Sequence, residues 1–269
     1  MGTICQRIGV GLLCLLVFFT SNAGQLTPVR LATTNWPPYV GKDLPGLGYL
    51  YVVVTTALQQ QGFATSVEFL PWKEAKLLNK YQNEGVFPAY KEEQEADWAC
   101  SDPMYGGPVG FYRRKNQLIR FTTSDPAANP EQALRGLSAY KIGVVESYTN
   151  IPALDKANFL DKIPAKDDYE NLLNLQQGKN DLAFVDVFVA EYLIDEHPEE
   201  LSNIEFMGPS LANKQIYLCF TKANPGYTHL LAGFNKGLKE LIDSGEYDRI
   251  EEKYTNRTSE CELLIEEID

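Results

Sequence analysis

The residues of this chain best placed for chemistry are ones that hold a small molecule, not ones that break bonds. Trp36 stands directly before Pro37-Pro38, with Tyr39 after them. An aromatic ring on a Pro-Pro turn is hard to bury in a core, because loops run over the surface, so Trp36 is expected to offer a ring face to a ligand. Tyr39 suits either packing under that turn or a ligand contact. Asp186 follows the apolar run Leu182-Ala183-Phe184-Val185, at the C-terminal edge where α/β sheets place their sites. Its carboxylate can cap a helix starting at Val187 or hold a cation by a charge-assisted hydrogen bond. Ser147, Tyr148 and Thr149 follow the apolar run 142–145; they can cap a helix or open one whose N–H groups face an anion. The sequence carries no nucleophile elbow, phosphate loop or metal motif. Its two histidines, His197 and His229, stand far apart and read as surface residues, so neither a zinc site nor any cofactor is expected.

Such groups need a rigid frame, and the patterning supplies one. Strands are expected at 29–33, 65–70, 85–87, 109–113, 140–145, 182–185 and 216–220. They are runs of β-branched and apolar residues bounded by Gly, Pro or polar turns. Helices are expected at 46–61, 72–81, 167–177, 187–194, 225–244 and 246–254. In the first of these Tyr49, Val52, Val53, Thr56 and Ala57 fall on one face, and Gly62 stops it. Its Val-Val-Val run would also suit a strand; length and the Gly stop decide for a helix. Alternating strands and helices argue for α/β architecture.

With 269 residues the chain is long enough for two lobes. A formal charge of −12 argues against a nucleic-acid partner, which needs clustered Lys and Arg. Residues 1–24 read as a secretory signal peptide: Arg7, an apolar core over 8–19, then Ser21-Asn22-Ala23, with cleavage after Ala23 or Gly24. Cys5 and Cys14 leave with it. Cys100, Cys219 and Cys261 remain, and an oxidising compartment permits one disulfide, with the pair left open.

Four segments in order resemble the periplasmic solute-binding proteins of family 3, the polar amino acid type. They are the turn 34–39, Thr-Asn-Trp-Pro-Pro-Tyr; the run 85–90 followed by Cys100-Ser101-Asp102-Pro103-Met104-Tyr105; the block 175–186, Leu-Gln-Gln-Gly-Lys-Asn-Asp-Leu-Ala-Phe-Val-Asp; and the closing stretch from Leu231 to Ile250. Together they span nearly all of 28–255. The resemblance implies the α/β type II periplasmic binding protein fold, two lobes joined by two crossover strands near 107–113 and 217–221. The first lobe would take 25–112 and return at 218–269; the second would be 113–217. Hinge closure would trap a small polar solute between them.

The resemblance also implies site residues. Trp36 matches the stacking aromatic, and Tyr39 and Tyr90 lie in matched segments. Asp186 matches the aspartate that holds a ligand ammonium, and 147–149 the turn that meets its carboxylate. One departure stands out. Family members place an arginine shortly before the "SDP" element, where it clamps an α-carboxylate through two parallel hydrogen bonds. Here the stretch is Lys91-Glu92-Glu93-Gln94-Glu95-Ala96-Asp97, and no arginine occurs between Arg30 and Arg113. Gln94 or Glu95 takes the position, with Lys91 as a substitute point charge. In a related subgroup with "PWKRA", Glu74 also replaces an arginine. The expected ligand is therefore cationic or lacks a free α-carboxylate. A monomer serving an ABC permease or a membrane sensor is implied. The alternatives are a dehydratase-like enzyme using an acid such as Glu74, Glu92 or Glu93, and an interaction module that has lost its ligand.

Overall fold

The computed structural model describes residues 26–77, 82–93, 96–146 and 148–255. The expected signal peptide, Gln94, Ser147 and Cys261 lie outside the described residues.

β1 (Thr27–Thr33) turns Val29, Leu31 and Ala32 into the core. The ambiguous Val-Val-Val run is helical: α1 (Tyr49–Gln60) buries Tyr49, Leu50, Val53, Val54, Ala57 and Leu58, the three-and-four spacing of a single helix face. Gly62, at φ +85°, then takes the chain into β2 (Phe63–Phe69), which runs parallel to β1. The helix expected over 72–81 is a one-turn α2 (Trp72–Ala75) that ends at the cap Lys76, with Leu77 already outside it; residues 78–81 lie outside the described residues. β3 (Gly85–Tyr90) is longer than expected, and β4 (Trp98–Cys100) has no clear sequence signal because it is only three residues long.

The chain then enters a second sheet. It contains β5 (Pro108–Arg114), α3 (Pro130–Arg135), β6 (Lys141–Val145), α4 (Pro152–Lys156), β7 (Asp161–Ala165), α5 (Asp168–Gln176), β8 (Leu182–Asp186), α6 (Val187–Glu196) and β9 (Ile204–Asn213). Of these, the sequence patterning did not mark α3, α4, β7 or β9. β10 (Ile216–Thr221) returns to the first sheet, followed by α7 (Tyr227–Asp243) and α8 (Glu246–Thr255), separated at Gly245. The close crossing of α1 and α7 depends on Gly237, where a Cβ would run into the Ala57 backbone.

Strand order is β2-β1-β3-β10-β4 in the first sheet and β7-β6-β8-β5-β9 in the second. All of β5 thus belongs to the second sheet and all of β10 to the first. The chain changes sheets at 101–107 and 214–215, a few residues before the crossovers that the resemblance implies at 107–113 and 217–221, with boundaries at 112/113 and 217/218. A strand signal shows that a strand exists, not which sheet it joins. The two connections pair with one another: Met104 and Ile216 exchange N–H···O bonds of 2.8 and 3.1 Å, and the Lys214 N–H donates to the Gly107 carbonyl at 2.9 Å. Just before this point, Cys100 and Cys219 sit opposite each other in antiparallel β4 and β10 and form the disulfide. Sheet register makes the choice among cysteines that the sequence left open. Among the described residues no helix is long and apolar enough to cross a membrane.

Candidate functional site

The strand order of both sheets turns the C-terminal ends of parallel strands toward one crevice. β1 leads to Trp36 and Tyr39, and β3 ends at Tyr90 ahead of a 3-10 turn, Lys91–Glu93. From the second sheet β6 leads to Tyr148 and Thr149, while β8 ends at Asp186.

Hydrogen bonds span the crevice. The Trp36 Nε1–H donates to Asp168 Oδ2 at 3.1 Å, and the Tyr148 hydroxyl donates to the same oxygen at 3.0 Å. Trp36 stacks on Tyr39, with centroids 4.6 Å apart and planes 19° from parallel, and meets Tyr90 edge-on at 5.9 Å. Across the crevice the Tyr39 hydroxyl donates to the Asp186 carboxylate, whose Oδ1 also accepts from the N–H groups of Phe188 at 2.9 Å and Val189 at 3.2 Å, so the helix-cap reading of this residue is realised.

A third carboxylate joins them. Glu93 accepts from Trp72 Nε1 at 3.0 Å, from the Tyr90 N–H at 3.1 Å and from the Thr149 N–H at 3.4 Å. Glu93, Asp168 and Asp186 are all buried, and among the described residues none has a lysine or arginine within ion-pair distance. Burial without a cation disfavours their charged forms. It raises Asp168 to about 6 and Asp186 to about 7, against the opposing pull of their hydrogen bonds. Burial raises Glu93 as well, against its hydrogen bonds and the charge of Lys76. Burial, with facing carboxylates adding to it, pushes the Tyr90 and Tyr148 phenols well upward.

Space in the crevice is limited. A cavity of about 30 Å³ lies among Thr34, Trp36, Trp72, Pro88, Tyr90, Glu93 and Tyr148, room for about one water-sized group. Trp36 and Tyr148 also line a cleft of about 280 Å³ whose walls include Asp43, Asp167, Asp168 and Glu196.

Lys91 is exposed and lines a separate groove at the crossovers together with Glu92 and Lys214. Lys214 is buried: its Nζ lies 3.1 Å from Glu92 Oε2, donates to the Asn150 carbonyl at 3.0 Å and sits 3.8 Å from the Tyr90 ring centroid. Of the residues singled out from sequence, Trp36, Tyr39, Tyr90, Tyr148, Thr149 and Asp186 converge on the crevice. Sequence reasoning missed Trp72, Asp168 and Lys214, and weighed Glu93 only as a catalytic acid. Asp168 had one signal, an acidic residue in the first turn of an expected helix. No local pattern pointed to Lys214. Among the described residues no cluster of three or more His, Cys, Asp or Glu is arranged to hold a metal.

No protein-family model matches the chain, and no curated protein matches it. Solved structures do. A histidine kinase sensor domain with similarity to periplasmic binding proteins superposes with a TM-score of 0.72 at 18% identity, covering 86% of this chain and 96% of the other. An ancestral arginine-binding protein bound to arginine gives 0.69 at 20% identity, covering 86% and 99%. The GluR0 ligand-binding core from Nostoc punctiforme, in complex with L-glutamate, gives 0.67 at 16% identity, covering 84% and 99%. At these identities the likeness establishes the fold: α/β, two-lobed, of the type II periplasmic binding protein class.

Proposed function

We propose that this chain is an exported solute-binding protein that closes its two lobes on a small polar, amine-containing solute other than a standard α-amino acid. The closed form then serves an ABC-type permease or a membrane sensor, and the protein performs no chemistry on the solute. The observation that carries this reading is the pair of bonds across the crevice, Trp36 to Asp168 and Tyr39 to Asp186. They join the turn after β1 to the second lobe, so the closed arrangement is a defined state that a bridging solute can favour over an open one. The fold supports binding over catalysis, since the neighbours named above are binding proteins and a sensor domain. Against an ordinary amino acid stand three buried carboxylates and no guanidinium where a ligand α-carboxylate would need one.

The test is small-angle scattering of the purified protein with and without the small molecules that mass spectrometry finds released from it. Compaction and a higher melting temperature are expected, with about 2.7 kcal/mol of added stability at a hundred times Kd. A crevice that stays packed with its own side chains and responds to no released or added solute would overturn the reading. That result would favour a ligand-free interaction module.

A further inference from the structure

We propose that the crevice recognises its solute through a primary ammonium group seated against Glu93, within the ring of Trp36, Trp72, Tyr90 and Tyr148, and not against Asp186. This rests on the crevice being the solute site. Asp186 is the residue the family resemblance assigns to an ammonium. Like Glu93, it already accepts three donors, so location decides between the two. Both oxygens take the Tyr39 hydroxyl and one also takes two helix N–H groups. It lines neither the cavity nor the wider cleft. Among the described residues Glu93 is the one carboxylate lining the cavity, where it sits beside the rings of Trp36, Trp72, Tyr90 and Tyr148.

Charge and size narrow the class. An anionic head group there would face Glu93 with Asp168 nearby, in a setting where charges interact strongly. Of the cations near them, Lys76 lies 5.8 Å from the Trp72 ring centroid without reaching ion-pair distance of Glu93, and Lys214 is held by Glu92 and the Asn150 carbonyl and lines the crossover groove. A volume of about 30 Å³ suits one water-sized group, hence an –NH3+ end and not a trimethylammonium. A cleft that shares Trp36 and Tyr148 with the cavity has acidic walls, which raise the local concentration of cations there. Gln94 or Glu95 takes the position that carries an arginine in the resembling family, so that guanidinium is missing here.

Calorimetric titration of the purified protein with n-butylammonium, butan-1-ol, butanoate and choline tests this. Butylammonium is expected to bind, butanol and butanoate to give no heat, and choline to bind more weakly than butylammonium. Glu93→Gln is expected to weaken butylammonium by about ten- to a hundred-fold, the worth of a charge-assisted bond, and by more than Asp186→Asn does. The four-probe series on the unaltered protein decides the charge preference even if a variant fails to fold. Butanoate binding, with Lys214 swinging in from Glu92 to receive it, would overturn the assignment and leave the solute-binding reading intact. So would a larger loss from Asp186→Asn. Silence from all four probes together with no compaction by any released solute would sink the underlying reading as well.

Discussion

The Tyr39 hydroxyl reaches across the crevice to both carboxylate oxygens of Asp186, at 3.1 Å to Oδ1 and 3.0 Å to Oδ2. Tyr39 comes from the turn after β1 and Asp186 from the end of β8, so one side chain ties the two sheets together beneath the stacked ring of Trp36. The same hydroxyl lies against Gly107, where a Cβ would collide with it and with Phe188. A glycine at the start of the second sheet is therefore part of how closely the lobes approach.

Tyr39→Phe removes that donor and leaves Asp186 with its two backbone partners. Stability is expected to fall by about 1–3 kcal/mol, the cost of an unsatisfied buried acceptor. Urea denaturation reads this, and small-angle scattering should show a larger open population.

Stability should also depend on pH. Burial raises Asp168 from 3.8 to about 6 and Asp186 from 3.8 to about 7. Between the unfolded and folded values the native state holds protons that the unfolded chain has lost. Their contribution is therefore fully present below the unfolded value and is lost as pH rises through the folded ones. The groups facing them are Trp36, Tyr39, Tyr148, Asp167 and the α6 N-terminus. Without ligand, the denaturation midpoint should drop between about pH 4 and pH 7 and level off above, and Asp186→Asn should flatten that slope. An unchanged slope in the variant would place the titration elsewhere. An ammonium solute needs ionised carboxylates, so its affinity should instead rise with pH over the same window.

The Cys100–Cys219 disulfide closes a loop across a sequence separation of 119. Because it constrains the unfolded chain over that length, reduction should cost a few kcal/mol, at most about 5. Paired denaturation curves with and without reductant measure this. Replacing Cys100 and Cys219 together with alanine should reproduce the reduced curve and remove its dependence on reductant.

Lys214 anchors the return crossover to both lobes, through Glu92 in the first and the Asn150 carbonyl in the second. Burial lowers its pKa, with Glu92 opposing. Lys214→Met keeps much of the volume and removes the charge. It should cost about 1–3 kcal/mol and loosen closure, less than for a fully buried pair because Glu92 remains partly solvated. A melting temperature equal to that of the unaltered protein would show the pair to be neutral.

The sequence by itself determined the alternation of strands and helices, the helix stop at Gly62, the cap at Asp186 and the absence of arginine from the expected carboxylate position. These are local: periodicity, turn chemistry and residue type act within a few positions and survive without knowledge of partners. It could not determine where the chain changes sheets, which cysteines pair, or that Glu93, Asp168 and Trp72 meet in one crevice. Those facts depend on β10 returning between β3 and β4, and on two sheets turning their strand ends toward each other. Contacts between residues as distant as Trp36 and Asp168 are set by packing, which no local pattern encodes.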